Sequence, residues 1–175
     1  MLKSLILMGY MGSGKSAVGS ALAKAKSLQF IDLDDYIEMQ EASSISQIFK
    51  RNGELLFRKK ERFYLEQLLG EPSNAVIALG GGTPCYFDNI DYINQSENTI
   101  SIYLKSNPKT LSHRLFEQKA HRPMIAHLPN LKALEEFIAK HLFERSTFYS
   151  KAQHHLVTDD RTIDDLVDQV SQFLT

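Results

Sequence analysis

The chain has 175 residues, a formal net charge of −1 and one cysteine, Cys85. This length suits a single domain whose core needs no disulfide or structural metal, and the balanced charge argues against a dedicated nucleic-acid or membrane surface. Because a lone cysteine can form neither an internal disulfide nor a zinc site, we expect a reducing compartment, with Cys85 as an ordinary small side chain and not a nucleophile.

The N-terminal segment imitates an export signal, because Lys3 precedes the apolar residues 5–8. Glycines and Lys15 then interrupt the apolar run, which leaves it too short for such a signal. No other stretch approaches the roughly 18 apolar residues that a membrane span needs. We therefore expect a soluble cytoplasmic protein that acts as a monomer, with no membrane or nucleic-acid partner.

Short apolar runs that end at glycine or at polar residues predict strands at 5–8, 30–31, 75–79, 99–104 and 155–157. Apolar residues at helical spacing predict helices at 16–26, 34–41, 45–51, 54–69, 108–118, 131–150 and 162–174. Ser44 is a candidate N-cap, and Gly70 is a stop signal. Strands that alternate with helices indicate a five-stranded parallel sheet between two helical layers, in one α/β domain that spans residues 1–175.

Residues 9–16, GYMGSGKS, match the P-loop pattern Gly-x-x-x-x-Gly-Lys-Ser between a predicted strand and a predicted helix. Such a loop turns backbone N–H groups toward phosphate oxygens, while its lysine reaches the outer phosphates and its hydroxyl can ligate Mg²⁺. A chance match in an ordinary turn is the alternative, and the flanking elements argue against it. We predict a P-loop NTPase fold that binds a nucleoside triphosphate and Mg²⁺ through Gly12, Ser13, Gly14, Lys15, Ser16 and Ala17.

Two carboxylates, Asp32 and Asp34, follow the second predicted strand. The strand at 75–79 ends in glycines and not in the aspartate that usually holds magnesium, so this pair could substitute for it. One carboxylate could hold metal-bound water while the other faces an acceptor hydroxyl. A solvated helix start is the alternative, since acidic residues favour that position. No guanine-reading Asn-Lys-x-Asp stretch occurs, which argues against a GTPase.

An acid-recognising arginine is a further candidate. Arg58 lies between Glu54 and Glu61 at helical spacing, and either carboxylate could fix its guanidinium. A fixed guanidinium binds both oxygens of a carboxylate or phosphate. We expect the neighbouring basic residues Lys59, Lys60 and Arg62 to lie on a solvent-exposed face of the predicted helix.

The sequence allows both a functional and a neutral interpretation of two further segments. The run Gly80, Gly81 and Gly82 either lets a ligand approach the backbone or is only a flexible turn. Residues 119–130 have two prolines, no clear period and few apolar anchors. They are either a lid that moves over the site or a solvent-exposed connection.

Six short motifs in this order and spacing resemble the shikimate kinase family over essentially the whole chain: GSGKS, FIDLD, ISQIFKRNGELLFRKKE, LGGG, the Arg122-Pro123 pair and ERSTFY. The resemblance implies phosphorylation of the 3-hydroxyl of shikimate by ATP, on the route to aromatic amino acids. It also implies Mg²⁺ as cofactor, with ATP and shikimate as the small-molecule partners.

The resemblance further implies a role for each matching residue. Ser16 and Asp32 would serve Mg²⁺, Asp34 would act on the acceptor hydroxyl, and Lys15 and Arg122 would meet the phosphates. Shikimate would be held by Arg58 and Arg145 at its carboxylate and by the backbone of Gly80, Gly81 and Gly82. Adenine would be covered by Arg114, with a contact from Arg161, although the proline that often follows this arginine is replaced by Thr162. Leu79 stands where some members have a hydroxyl residue.

Two other functions stay open on the sequence. A P-loop kinase for another polyol acid, such as gluconate, would not need both Arg58 and Arg145. A nucleotide-dependent binding module would need no acid-recognising pocket at all.

Overall fold

The structure is a computed structural model that describes residues 3–70 and 74–173. In this part of the chain, five parallel strands form one sheet in the order β2-β3-β1-β4-β5. The strands are β1 (Ser4–Met8), β2 (Gln29–Asp32), β3 (Ala75–Ala78), β4 (Thr99–Lys105) and β5 (His154–Val157). The predicted three-layer α/β/α architecture with a five-stranded parallel sheet is confirmed.

Seven α-helices lie in the described segments: α1 (Lys15–Lys26), α2 (Leu33–Glu41), α3 (Ile45–Gly70), α4 (Asn89–Gln95), α5 (Pro108–Phe116), α6 (Leu131–Tyr149) and α7 (Ile163–Gln172). Gly53 interrupts α3 with φ 76° and ψ 171°, at the boundary predicted between two helices. The Ser44 hydroxyl accepts from the backbone N–H of Gln47 at 3.3 Å, so the predicted N-cap is confirmed. None of the described helices is long and apolar enough to cross a membrane.

The central strands send alternate side chains to opposite faces of the sheet, as the two-residue repeat of a strand requires. Leu5 and Leu7 of β1 pack in the core under α1 and α7. Ile6 and Met8 pack in the other core, together with helices α2 to α6. Both faces of β1 are therefore fully buried, which explains its continuous apolar run.

One helix was not predicted from the sequence, and several helices begin or end at residues other than those predicted. The seven-residue α4 has a polar sequence, NIDYINQ, and gives no helical pattern beyond two isoleucines. Its first residue, Asn89, is buried and donates its side-chain amide to the carbonyl of Thr83 at 2.8 Å. Helix α5 ends at Phe116 and not at residue 118. Thr162 is the N-cap of α7 in a capping box, and residue 174, the predicted end, lies outside the described residues.

The strand register brings the carboxyl ends of β1, β2 and β3 to one edge. Asp32, the last residue of β2, is level with Ala78 of β3, which in turn pairs with Leu7 of β1. The loops after these strands therefore meet, and ligands of such sheets bind at this edge.

Candidate active site

The loop between β1 and α1 adopts a conformation that glycine favours. Gly12 and Gly14 have φ of 78° and 97°, in the left-handed region that side chains disfavour. Gly14 is also the N-cap of α1, and no side chain caps this helix end. The first backbone N–H groups of α1 therefore remain available for an anion, with the positive end of the helix dipole behind them.

Lys15 lies against the loop from which it projects. Its ammonium donates to the carbonyls of Gly9 at 2.9 Å and Tyr10 at 3.0 Å. Burial lowers the pKa of Lys15 to about 8, against the opposing attraction of Asp34 and Asp32. The lysine therefore still carries its charge at neutral pH, beside two carboxylates.

Asp32 links the P-loop to the start of α2. One of its oxygens accepts from the Ser16 hydroxyl at 2.8 Å. The other accepts from the backbone N–H of Asp34 at 3.1 Å, so Asp32 is the N-cap of α2. Asp32 thus starts a helix and also faces the P-loop hydroxyl, which unites the two interpretations that the sequence left open.

Among the acidic groups of the site, Asp34 has the pKa that the fold changes most. Burial, then the nearby carboxylates of Glu61 and Asp32, raises the pKa of Asp34 from its ordinary 3.8 to about 6, while Lys15 and Arg58 act in the opposite direction. A carboxylate with this pKa is ionised at neutral pH yet can accept a proton readily, which suits a base that faces an acceptor hydroxyl.

Arg58 is held on several sides. Its guanidinium donates to Glu61 at 3.0 Å and to Glu54 at 3.5 Å, so both predicted carboxylates fix it. The guanidinium carbon also lies 4.1 Å from the centre of the Tyr86 ring. A Cβ atom at Gly82 would lie 2.6 Å from a terminal nitrogen of Arg58, so a side chain there would displace the guanidinium from this position.

Arg145 approaches the same glycine run from α6. One of its terminal nitrogens lies 3.6 Å from the point where Gly81 would carry a Cβ atom. Tyr149, one turn later, donates its hydroxyl to the carbonyl of Gly81. The structure therefore gathers Arg58 and Arg145 around the three glycines, although they are separated by 87 positions in the chain (145 − 58).

On the nucleotide side, Arg114 ties the loop to the sheet. Its guanidinium donates to the carbonyls of Gly12 at 3.2 Å and Thr158 at 3.1 Å. Arg122 donates to the side chain of Gln118 at 3.3 Å. Arg161 is exposed on the loop before α7, and the structure does not bring it to the cavity wall.

These elements enclose a cavity of about 640 Å³. Its wall contains most of the predicted nucleotide and metal residues, namely Gly12, Gly14, Lys15, Ser16, Ala17, Asp32, Arg114 and Arg122, together with Asp34, Gly80 and Gly81. Ser13 is buried in the loop. Gly82 is not part of the wall, and neither are the two arginines, Arg58 and Arg145, whose guanidinium groups lie close to Gly82 and Gly81.

Sequence reasoning missed several neighbours of the site. Thr83 donates its hydroxyl to Glu61 at 2.6 Å, and both side chains are buried. Tyr86 covers Arg58 and donates to Glu54 at 2.6 Å. Gln118 and Met11 line the cavity. Only Gln118 carries a local signal, since it lies one helical turn after Arg114 and four residues before Arg122.

The candidate lid is better anchored than the sequence indicates. Residues 119–130 begin with a 3₁₀ turn at Lys119–His121 and continue as irregular chain. Ile125 is completely buried, and Leu128 packs against the same core. The apolar anchors of this loop are few, but one of them, the completely buried Ile125, fixes its centre.

The family follows from comparison with known proteins. A family model described as shikimate kinase matches residues 11–175. The chain belongs to the shikimate kinase family. It is therefore an ATP-dependent kinase of aromatic amino acid biosynthesis. The gluconate kinase and binding-module alternatives are set aside.

Individual relatives agree along the whole chain. A shikimate kinase of Flavobacterium johnsoniae is 43% identical over 173 residues, which are 99% of each protein. The crystal structure of shikimate kinase from Bacteroides thetaiotaomicron superposes with a TM-score of 0.89 at 34% identity and covers 98% of both chains. The structure of the Acinetobacter baumannii enzyme in complex with shikimate gives a TM-score of 0.83 at 28% identity, over 99% of this chain and 93% of that one.

Proposed function

We propose that this protein transfers the terminal phosphoryl group of ATP to the 3-hydroxyl of shikimate, with the residue roles set out below. The observation that carries the proposal is the position of Asp34. This carboxylate lines the same cavity as Lys15 of the P-loop and lies against Gly80, next to the two arginines of the glycine run. A base, a phosphate-binding loop and an acid-recognising pair therefore adjoin one another, as transfer to a hydroxy acid requires.

The nucleotide occupies the P-loop half of the cavity. The backbone of residues 12–17 and the start of α1 surround its phosphates, and Lys15 moves from the carbonyls of Gly9 and Tyr10 to a phosphate oxygen. Arg114 lies beside the loop where adenine would rest. Arg161 is not included, because it lies outside the cavity wall.

The residues at the P-loop exit fit Mg²⁺. Ser16 and Asp32 present a hydroxyl and a carboxylate oxygen 2.8 Å apart, and magnesium prefers such oxygen ligands while it keeps several waters. The described residues contain no cluster of three or more histidine, cysteine or acidic side chains that could hold a metal alone. Magnesium would therefore be shared with the phosphates, where it neutralises charge on the group that is transferred.

The acceptor occupies the side of Gly80 and Gly81. Arg58 and Arg145 grip the carboxylate of shikimate, because two guanidinium groups provide directed donors to both oxygens. Asp34 accepts the hydroxyl proton or orients the hydroxyl toward the terminal phosphate. Arg122 meets the phosphates when residues 119–130 close, which excludes water and suppresses hydrolysis of ATP. One domain acting as a monomer would contain the whole site.

ADP release in the presence of ATP and Mg²⁺ tests the proposal with a panel of acceptors. Shikimate should support turnover, whereas gluconate and nucleoside monophosphates should give only the background rate. Methyl shikimate is the matched control, since it keeps the ring hydroxyls and lacks the carboxylate charge. Comparable turnover with shikimate and its methyl ester would remove the assigned role of the two arginines.

A further inference from the structure

The second residue of the P-loop makes a long-range contact that the reaction scheme does not use. The side chain of Tyr10 is 1% exposed, and its hydroxyl lies 3.0 Å from Nδ1 of His141 on α6. The two rings meet edge to face, with centres 5.5 Å apart and planes at 90°. The phosphate-binding loop is thereby attached to the helix that carries Arg145.

Tyr10 touches two parts of the proposed site at once. Its carbonyl accepts from Lys15 at 3.0 Å, and its ring centre lies 5.9 Å from the guanidinium carbon of Arg145. His141 precedes Arg145 by four residues, so the two side chains lie on one face of α6. Phe137, one turn earlier, packs against the His141 ring, with ring centres 5.6 Å apart.

The protonation states suit this hydrogen bond. Burial raises the pKa of Tyr10 to about 12, so its hydroxyl keeps the proton. Burial, then the positive charge of Arg145, lowers the pKa of His141, while Glu144 opposes this shift. The imidazole is therefore neutral at neutral pH, and in the tautomer with its proton on Nε2 it accepts from Tyr10 at Nδ1.

We propose that Tyr10 and His141 are positioning residues that fix Arg145 relative to the P-loop and thereby set the affinity for the acceptor carboxylate. Within the described residues, Arg145 forms no salt bridge. Its guanidinium has a hydrogen bond with Tyr149 on the same helix and lies over the ring of Tyr10 from the P-loop, so Tyr10 is the contact that relates it to the loop. A misplaced guanidinium loses the paired geometry that a carboxylate needs. The inference rests on the proposed role of Arg145 in shikimate binding.

The test compares the steady-state constants of Tyr10→Phe, His141→Leu and the double variant. Each single change removes one neutral hydrogen bond and should raise the KM for shikimate about three- to tenfold, with the KM for ATP and kcat within about twofold of the parent. The KM for shikimate of the double variant should not exceed that of the more impaired single variant, because both changes remove the same contact. His141→Asn keeps an acceptor near the position of Nδ1 and should restore most of the affinity.

Two controls separate this inference from general damage and from failure of the proposed function. Tyr64→Phe removes the hydroxyl of another tyrosine of the core, which donates to Glu41 at 2.7 Å away from the cavity wall, and should leave both KM values unchanged. Arg145→Ala should raise the KM for shikimate more than any of the other variants.

If Arg145→Ala raises the KM for shikimate and Tyr10→Phe does not, the positioning role fails while the proposed function stands. If Arg145→Ala has no effect, the assignment of Arg145 fails, and the positioning role fails with it. Equal increases for both substrates, or additive effects in the double variant, would also overturn the inference.

Discussion

Replacing Asp34 by asparagine should abolish most phosphoryl transfer and at the same time stabilise the protein at neutral pH. The carboxylate is held in a partly buried position next to Glu61 and Asp32, which raises its pKa from 3.8 to about 6. Asparagine keeps nearly the same shape without the charge. It cannot accept the hydroxyl proton, but it also avoids the cost of burying an ionised group.

The size of the effect follows from linkage. A folded-state pKa about two units above the unfolded value corresponds to about 3 kcal/mol, at about 1.4 kcal/mol per unit. Between pH 3.8 and about 6 the unfolded chain releases this proton first, so stability falls as the pH rises and stays lower above pH 6. The attraction of Lys15 is already included in this shift, so we expect the variant to gain up to about 3 kcal/mol at pH 7.5 and little near pH 4.

Urea unfolding of both proteins at pH 4 and pH 7.5, together with ADP release under saturating substrates, measures the two effects. Asp35→Asn is the matched control, since it removes an exposed charge from the same first turn of α2. Its removal costs a favourable helix-dipole interaction of about 0.3–1 kcal/mol. It also relieves the effect of burial and of the Asp32 and Glu38 carboxylates, which raise the pKa of Asp35, so we expect a small net change in stability. An Asp34→Asn protein that is less stable than the parent at pH 7.5, or that turns over shikimate at the parental rate, would refute the reasoning.

Two further substitutions test the acceptor pocket and the lid. Arg58→Lys should raise the KM for shikimate about ten- to a hundredfold and leave the KM for ATP unchanged, because a bidentate charged contact is worth about 1.5–3 kcal/mol. An equal increase in both KM values would mean that Arg58 has only a structural role. Arg122→Ala should lower kcat about a hundredfold with little change in shikimate affinity, since the arginine stabilises charge on the group in transfer. Hydrogen exchange across residues 119–130 should slow when an ATP analogue and shikimate are both bound, and unchanged exchange would mean a fixed loop.

The parts of the fold that depend on local pattern could be predicted from the sequence. The P-loop is one continuous stretch. The Ser16–Asp32 contact joins the loop after β1 to the end of β2 at the carboxyl edge of the parallel sheet, where ligands bind, although β3 lies between these two strands. The alternation of apolar strands with amphipathic helices was sufficient to predict the three-layer α/β/α architecture. The predicted helix boundary at Gly53 was right because glycine there adopts a positive φ.

Features that depend on contacts between distant positions could not be predicted. Tyr10 and His141 are separated by 131 positions, and neither residue stands in a pattern that indicates its partner. Helix α4 is fixed by buried contacts such as that of Asn89 with Thr83, and its own seven residues show no clear period. Ile125 is one apolar residue in an irregular loop, so its burial depends wholly on the core that it meets.

The run of three glycines has two explanations on the sequence, a close approach of a ligand to the backbone and a flexible turn, and the run taken alone favours the flexible turn. In the P-loop, Gly12 and Gly14 have positive φ, so glycine is needed there for the backbone itself. Among the described residues, positive φ does not occur at 80–82, and Gly82 has φ −90° and ψ −20°, which any residue adopts. Space is limited at two of the three positions, because a Cβ atom would lie 2.9 Å from Asp34 at Gly80 and 2.6 Å from Arg58 at Gly82. At Gly81 the nearest atom, the backbone nitrogen of Met11, would lie 3.5 Å away, which is an ordinary contact distance. A side chain at either position would have to displace the carboxylate of Asp34 or the guanidinium of Arg58, and both groups belong to the proposed site.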